Sequence, residues 1–449
     1  MHGTGPQPRW LASLAALIVA SLAALTACGP QPTLPEGALA PIKVGVVTSL
    51  TGTLGTDGPG WANSARVAAR EVNAAGGPID GRPIELVVVD DETNPGRAEA
   101  IATRLVNEDE VVAVIGAAAS SITLGLAAVT GPAQIPQVSC CSTSDLITMR
   151  AMGLPEEERF LFRTAPSDIL QAKVVSIAAT QLACSSLAVL HLDDSYGQPF
   201  GDAIVSEFRS GGGIIAAQVP FADEQASYTA ELTMIRDAMP DCIAMVAFPG
   251  SAGTIVQNWA SLSGTPDVTW IGTDGVRAPG LVEQVGDPAL IDGFFGTSPV
   301  TDGSTREYNA FRDRYRAFYG EDPIPFSSNQ YDAVALLSLA IARAGTTDGV
   351  AVRDALREVA GAPSDPGGLI LPGQLAEGLA EVRDGIDIDY QGASGNVDFD
   401  ALGNVVTSYE IWRYDAPGST ASCDGPRSVV PGDRGAFCRF RTLNAEEIR

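Results

Sequence analysis

Residues 42–95 read IKVGVVTSLTGTLGTDGPGWANSARVAAREVNAAGGPIDGRPIELVVVDDETNP, and this stretch decides the fold class. Two β-branched runs, Ile42 to Val47 and Ile84 to Val89, flank a helical pattern from Trp61 to Ala75. Short apolar runs on either side of an amphipathic helix mark a βαβ unit, whose strands lie parallel and covered on both faces. The alternation continues outward, with strands expected at Val111 to Ile115, Gln137 to Ser139 and Phe160 to Arg163, and helices at Pro95 to Asn107 and Ser120 to Gly131. A second set of strands follows at Leu187 to Leu190, Ile214 to Val219, Ile243 to Ala247, Trp270 to Gly272 and Phe294 to Thr297. The expectation is an α/β protein with two doubly wound parallel sheets of about five strands each, forming two lobes joined by a hinge. Helices at Ser304 to Tyr319, Ser327 to Ala344 and Val350 to Ala360 have no strands between them, so they should return to cover the first sheet. The expected segments are therefore 41–164 and 297–408 for lobe one, and 165–296 and 409–449 for lobe two and a tail.

Composition narrows the function. The 449 residues are 45% apolar and 18% charged, which is globular and excludes a disordered chain. The formal charge is -26, and only Lys43 and Lys173 are lysines. A binder of phosphates must bring cations, so neither nucleic acid nor an anionic membrane surface is an expected partner. With two histidines, one of them His2 near the start, no histidine-based metal centre can be assembled, and no cofactor is expected.

Arg9 precedes an apolar run from Trp10 to Ala27 that closes on Leu25, Thr26, Ala27, Cys28 and Gly29. This reads as a signal peptide over 1–27 with Cys28 as the lipidated first residue of the exported protein, followed by a Pro/Gly-rich tether over 28–40. A membrane-spanning helix is the competing reading, weakened by Ser13, Ser21 and Thr26. Six further cysteines suit an oxidising compartment. Cys184 and Cys242 each stand just before strands expected to be neighbours, and Cys423 and Cys438 bracket a Gly/Pro-rich segment, so two disulfides are expected. The adjacent pair Cys140 and Cys141 is left open.

Doubly wound sheets carry their ligands outside the carboxyl ends of the strands, which singles out a few loops. Gly52, Gly55, Gly58 and Gly60 form a tight turn before a helix, without the spacing or lysine of a phosphate loop. Ser120 opens a helix after small residues and suits either a carboxylate held at the helix start or a plain cap. Cys141, Thr143 and Ser144 offer sulfur and hydroxyl groups at the same rim, with capping as the ordinary account of Ser144 or Asp145. Asp90, Asp91 and Glu92 lack calcium-loop spacing, and Asn94 with Pro95 reads as a helix start. His191 beside Asp193 and Asp194 invites a catalytic triad, but no nucleophile motif accompanies it. Asp274 ends a strand before Gly275, and is either a turn residue or the partner of a bound ammonium.

The opening at 42–60 and the βαβ turn at 68–95 come first; FRTAPSD (162–168), LDDSYGQPFGDA (192–203), WIGTDG (270–275), YRAFYGEDPIPFSSNQYDAVALLSLAIARAG (315–345) and DIDYQGASGNVDFDALGNV (387–405) follow in order. Together they resemble the type I periplasmic binding proteins of the leucine/isoleucine/valine-binding family, the solute receptors of ABC importers, over roughly Ile42 to Asp415. The resemblance implies an α-carboxylate held by Ser120, Cys141 and Thr143, an α-ammonium on Asp274, and aromatic contacts from Tyr196 and Phe248. Near Asp57 the resemblance implies an aromatic side chain, although Trp61 lies one turn later. A carboxylate there suits a polar or cationic ligand side chain better than an aliphatic one. The expectation is thus a lipid-anchored, extracytoplasmic, monomeric receptor without enzymatic activity that closes on an amino acid or related solute and delivers it to an ABC permease. A ligand-sensing module is the alternative, followed by an exported amidase or hydrolase.

Overall fold

The computed structural model describes residues 1–3, 39–300, 305–361, 367–423 and 425–448. Residues 4–27 of the expected signal peptide, the lipidation site Cys28 and residues 29–38 of the tether lie outside the described residues.

The first sheet contains β1 (Ile42–Thr48), β2 (Ile84–Asp90), β3 (Ala113–Ile115), β4 (Gln137–Ser139) and β5 (Leu161–Arg163). Their order is β2-β1-β3-β4-β5, all parallel, so the winding reverses between β1 and β3. The helix Ser327–Ala344 returns from far along the chain and is buried through most of its length against this sheet. Its apolar positions join Ile42, Val44 and Val46 in one core. A helix buried on all sides belongs inside the protein, its polar positions such as Asp332 satisfied there, and among the described residues no single helix is long and apolar enough to cross a membrane. Asp332, inside this helix, accepts bonds from Tyr390 Oη (2.8 Å), Ala393 N (2.8 Å) and Ser394 N (2.8 Å), which explains part of the 387–405 motif as a structural clamp.

The second sheet contains β6 (Ser186–Leu192), β7 (Ile214–Phe221), β8 (Cys242–Val246), β9 (Thr269–Gly272) and β10 (Phe295–Pro299). It repeats the order β7-β6-β8-β9-β10 in parallel. Here the expectation of about five strands falls short. After a small parallel ladder of β11 (Gly368–Ile370) with β12 (Ile388–Tyr390), the chain adds β13 (Tyr409–Asp415) antiparallel to β10. β14 (Arg427–Val429) and β15 (Ala436–Leu443) then extend the sheet to eight strands. β13 lacks a period-two pattern because both its faces are covered. Its Trp412 stacks on Phe294, which stacks in turn on Trp270, and a Cβ on the paired Gly296 would stand 2.1 Å from the Trp412 ring. Only glycine leaves room for the indole.

Both expected disulfides are present, Cys184–Cys242 and Cys423–Cys438, each with Cα atoms 5.8 Å apart. The first joins the starts of the neighbouring strands β6 and β8. Cys140 and Cys141, left open by the sequence, are bonded to each other.

Candidate functional site

Loops from the carboxyl ends of both sheets face one another across a cleft whose empty space, the part open to solvent included, is about 490 Å³. Asp57, Trp61, Ser120, Cys141 and Thr143 line it from lobe one, and Tyr196, Phe248 and Asp274 from lobe two, so all eight residues singled out in the sequence meet at one place. The lobes touch across the cleft. Thr53 Oγ1 donates to Asp223 Oδ2 (2.9 Å), and Ser144 Oγ donates to the Ser195 carbonyl (2.5 Å). Leu54, Trp61 and Cys141 thereby join Tyr196 and Phe248 in one continuous buried cluster.

On lobe one, two loops are stitched into a rigid wall. Gly116 adopts φ +127°, where a Cβ would meet the Val47 carbonyl at 2.3 Å, so the chain turns tightly out of β3. Thr123 Oγ1 accepts from Ala117 N (2.9 Å) and bonds Ser142 Oγ (2.7 Å), while Ser139 Oγ donates to the Ala117 carbonyl (2.8 Å). The helix Ser120–Thr130 starts after Ala119 and carries no side-chain cap, so the capping account of Ser120 does not hold. Ser120 Oγ instead accepts from Ser144 N (3.3 Å), and Ser144 Oγ caps its own helix through Leu146 N (3.2 Å). An uncapped helix start beside two buried hydroxyls suits a carboxylate. Behind the wall, Arg163 at the end of β5 donates to the carbonyls of Thr143 (2.8 Å) and Ser144 (2.9 Å).

On lobe two, Tyr196 stacks on Phe248 with ring centroids 5.4 Å apart. The Tyr196 hydroxyl bonds Thr273 Oγ1 (3.0 Å) and donates to Asp274 Oδ1 (3.2 Å). Burial pushes the Asp274 carboxyl up to about 6. Asp168 is fully inside the protein behind this wall, and burial together with Asp274 holds it well above the usual carboxylate range. Asp57 is pushed up to about 7, by burial first and the Glu283 charge second.

Sequence reasoning missed Arg277 and the segment Ile324, Pro325 and Phe326, all on the cavity wall. Arg277 pairs with Glu410 on β13 (2.5 Å), a partner too distant in the chain for any local pattern to disclose. Trp61 Nε1 donates to the Pro325 carbonyl (2.8 Å), which fixes the indole. The remaining candidates have structural roles. Asp90 Oδ1 accepts from Leu50 N (2.9 Å) and Glu92 N (2.9 Å), and Asn94 caps its helix turn through Gly96 N (2.9 Å). His191 Nδ1 meets the Leu192 carbonyl (2.9 Å), and among the described residues no serine or cysteine is bonded to the ring.

These raised carboxylates give stability a pH dependence of definite sign. Asp57 holds its proton in the folded chain up to about 7, while its unfolded value is 3.8. The stabilisation is therefore complete below the unfolded value and lost as pH rises through about 7. The unliganded protein should be more stable at acidic pH, with Asp57 alone contributing ~2 kcal/mol between pH 8 and 5.5. Relief of the overall negative charge acts in the same direction, so the measurement is the difference in melting temperature between the two pH values for wild type and Asp57→Asn. Equal differences would mean that Asp57 is ionised in the folded chain.

A family model described as periplasmic binding protein matches residues 41–371. An amino acid binding protein of Pseudomonas aeruginosa is 29% identical over 317 residues, covering 69% of this chain and 81% of that protein. The chemotactic signal transduction system substrate-binding protein BasB of Halobacterium salinarum is 26% identical, covering 84% of this chain and 88% of its own length. The crystal structure of the branched-chain amino acid transporter substrate binding protein LivJ from Streptococcus pneumoniae, in complex with isoleucine, superposes with a TM-score of 0.67 at 25% identity, covering 84% of this chain and 96% of that one. Two α/β lobes facing each other over a lined cavity, together with a family match spanning most of the folded chain, make this protein a member of the periplasmic binding protein family of solute receptors.

Proposed function

We propose that this chain is a receptor anchored by lipid at Cys28 on the outer side of the membrane, which captures an amino acid or amino-acid-like solute by hinge closure and delivers it to an ABC permease. The observation that carries this reading is the opposition, across one cavity, of the hydroxyls and uncapped helix start of lobe one to the buried Asp274 of lobe two. An α-carboxylate on Ser120, Thr143 and the rim beside Cys141, and an α-ammonium on Asp274, would each meet a complementary group. Tyr196 and Phe248 would cover the ligand backbone. We take 41–164 with 297–408 as one moving body, and 165–296 with 409–449 as the other; β1 to β5 fall in the first and β6 to β9 with β13 to β15 in the second, while β10 crosses the 296/297 boundary. Ligand contacts completed only on closure would bias the hinge toward the shut form.

A thermal-shift screen of the full chain in detergent, against L-amino acids, their amides and aromatic acids, tests the reading. A ligand at 100 times its Kd stabilises by ~2.7 kcal/mol, and an amino-acid class should produce that shift. A shift with only an amide or aromatic acid would remove the α-ammonium role from Asp274. The relative named for chemotactic signalling favours a second reading, a sensor feeding a signalling partner. A permease gene beside this one supports delivery, and a receptor or kinase gene supports sensing.

A further inference from the structure

The cavity holds two carboxylates, and the α-ammonium of an amino acid can answer only one of them. This inference rests on the reading of the cavity as an amino-acid site. Asp57, just before the helix Gly58–Ala74, occupies the position where an aspartate ordinarily accepts a bond from the first helical N–H groups. Its carboxylate makes no such bond, and no other hydrogen bond or ion pair reaches it among the described residues. It is 3% exposed and lines the cavity, with Oδ1 facing lobe two at Gly280, where a Cβ would lie 3.3 Å away. The charge acting on it is Glu283, also negative. The cavity is therefore lined by one carboxyl from each lobe, Asp57 and Asp274.

A buried, unpartnered carboxylate is costly unless a cation meets it. The guanidinium on the cavity wall, Arg277, is engaged by Glu410 and does not serve. Beside Asp57 the wall is aromatic, with Trp61 held in place by the Pro325 carbonyl and Phe326 following it. An aromatic face next to a carboxylate is a setting that favours an organic cation.

We propose that the ligand is an α-amino acid whose side chain ends in a guanidinium or ammonium group, with its α-ammonium on Asp274 and its side-chain cation on Asp57 beside Trp61. Two protein carboxylates then meet two ligand cations, and the ligand carboxylate goes to Ser120, Thr143 and the helix start. An aliphatic side chain would close Asp57 against methyl groups with no counter-ion. A neutral amide would require Asp57 to keep a proton.

The test is isothermal titration calorimetry of the full chain in detergent at pH 8 with L-arginine, L-lysine, L-citrulline, L-glutamine and L-leucine. Citrulline has nearly the shape of arginine without its charge. Arginine or lysine should bind roughly 30-fold or more tightly than any of the three neutral amino acids. Asp57→Asn should narrow that ratio to about threefold or less. Leucine, glutamine or citrulline binding as tightly as the cationic ligands would overturn the proposal and leave the amino-acid reading intact. Silence of every α-amino acid in the screen would overturn both. If Asp57→Asn does not fold, the arginine–citrulline ratio in the wild-type chain decides alone.

Discussion

Asp274→Ala is expected to weaken the binding of an α-amino acid by ~2 to 5 kcal/mol, the cost of leaving a buried charge without its partner. In calorimetry this is roughly a 30-fold to several-thousand-fold rise in Kd. Asp274 lies two residues past β9 inside the closed cleft, and the Tyr196 hydroxyl that donates to it is neutral, so the carboxylate remains available to a cation. The unliganded protein should not be destabilised in parallel, because burial already disfavours the charged form of this carboxyl. Asp274→Asn separates charge from shape. It keeps the volume and a hydrogen-bonding oxygen, so a comparable loss in this variant assigns the effect to the charge. Unchanged affinity in both variants would place the ammonium elsewhere in the cavity.

Arg163→Met is expected to cost ~3 to 5 kcal/mol of folding stability, the range for removing one member of a buried charged network. The guanidinium is wholly inaccessible and donates to the carbonyls of Thr143 and Ser144, to Thr148 Oγ1 (2.8 Å) and to Asn404 Oδ1 (2.9 Å). It thus ties the ligand loop after β4 to two places where the chain passes between lobes, the exit of β5 and the segment at Gly403 and Asn404, whose carbonyl at Gly403 accepts from Arg163 N (2.9 Å). Its loss would leave several buried acceptors unpaired and would remove the cation nearest to Asp168 in effect. Arg163→Lys should not rescue it, because one ammonium cannot reproduce a planar fork that reaches four acceptors. Urea denaturation reads the outcome directly, and a loss below ~1 kcal/mol would show that water replaces the guanidinium.

Much of the site was legible because its strands and loops obey local rules. The parallel strands of both lobes follow from apolar runs alternating with helices, and a doubly wound sheet puts its functional loops at known ends. Asn94 and Pro95 announced their helix turn, and Ser144 its cap, through side chains that bond within three residues. The resemblance then named Ser120, Cys141, Thr143, Tyr196, Phe248 and Asp274, and its departure near position 57 drew attention to Asp57 and Trp61; all eight line one cavity. The antiparallel extension of the second sheet was not legible. β13 is covered on both faces and its neighbours in the sheet lie far off in the chain, so neither alternation nor turn spacing marked it.

The sequence by itself determined the α/β class, the two lobes and the pairing of Cys184 with Cys242, since each depends on periodicity or on strand order that short-range patterns encode. The tertiary structure alone decided that Arg277 pairs with Glu410, a carboxylate it shares with Arg439, that Pro325 and Phe326 complete the wall around Trp61, and that Cys140 bonds Cys141. It alone decided as well that Asp57 is buried without a hydrogen-bonding partner for its carboxyl among the described residues, and does not cap its helix. The reason is physical: a side chain's charge state and its counter-ion are set by desolvation and by groups brought near in space, and neither quantity is a property of neighbouring positions along the chain.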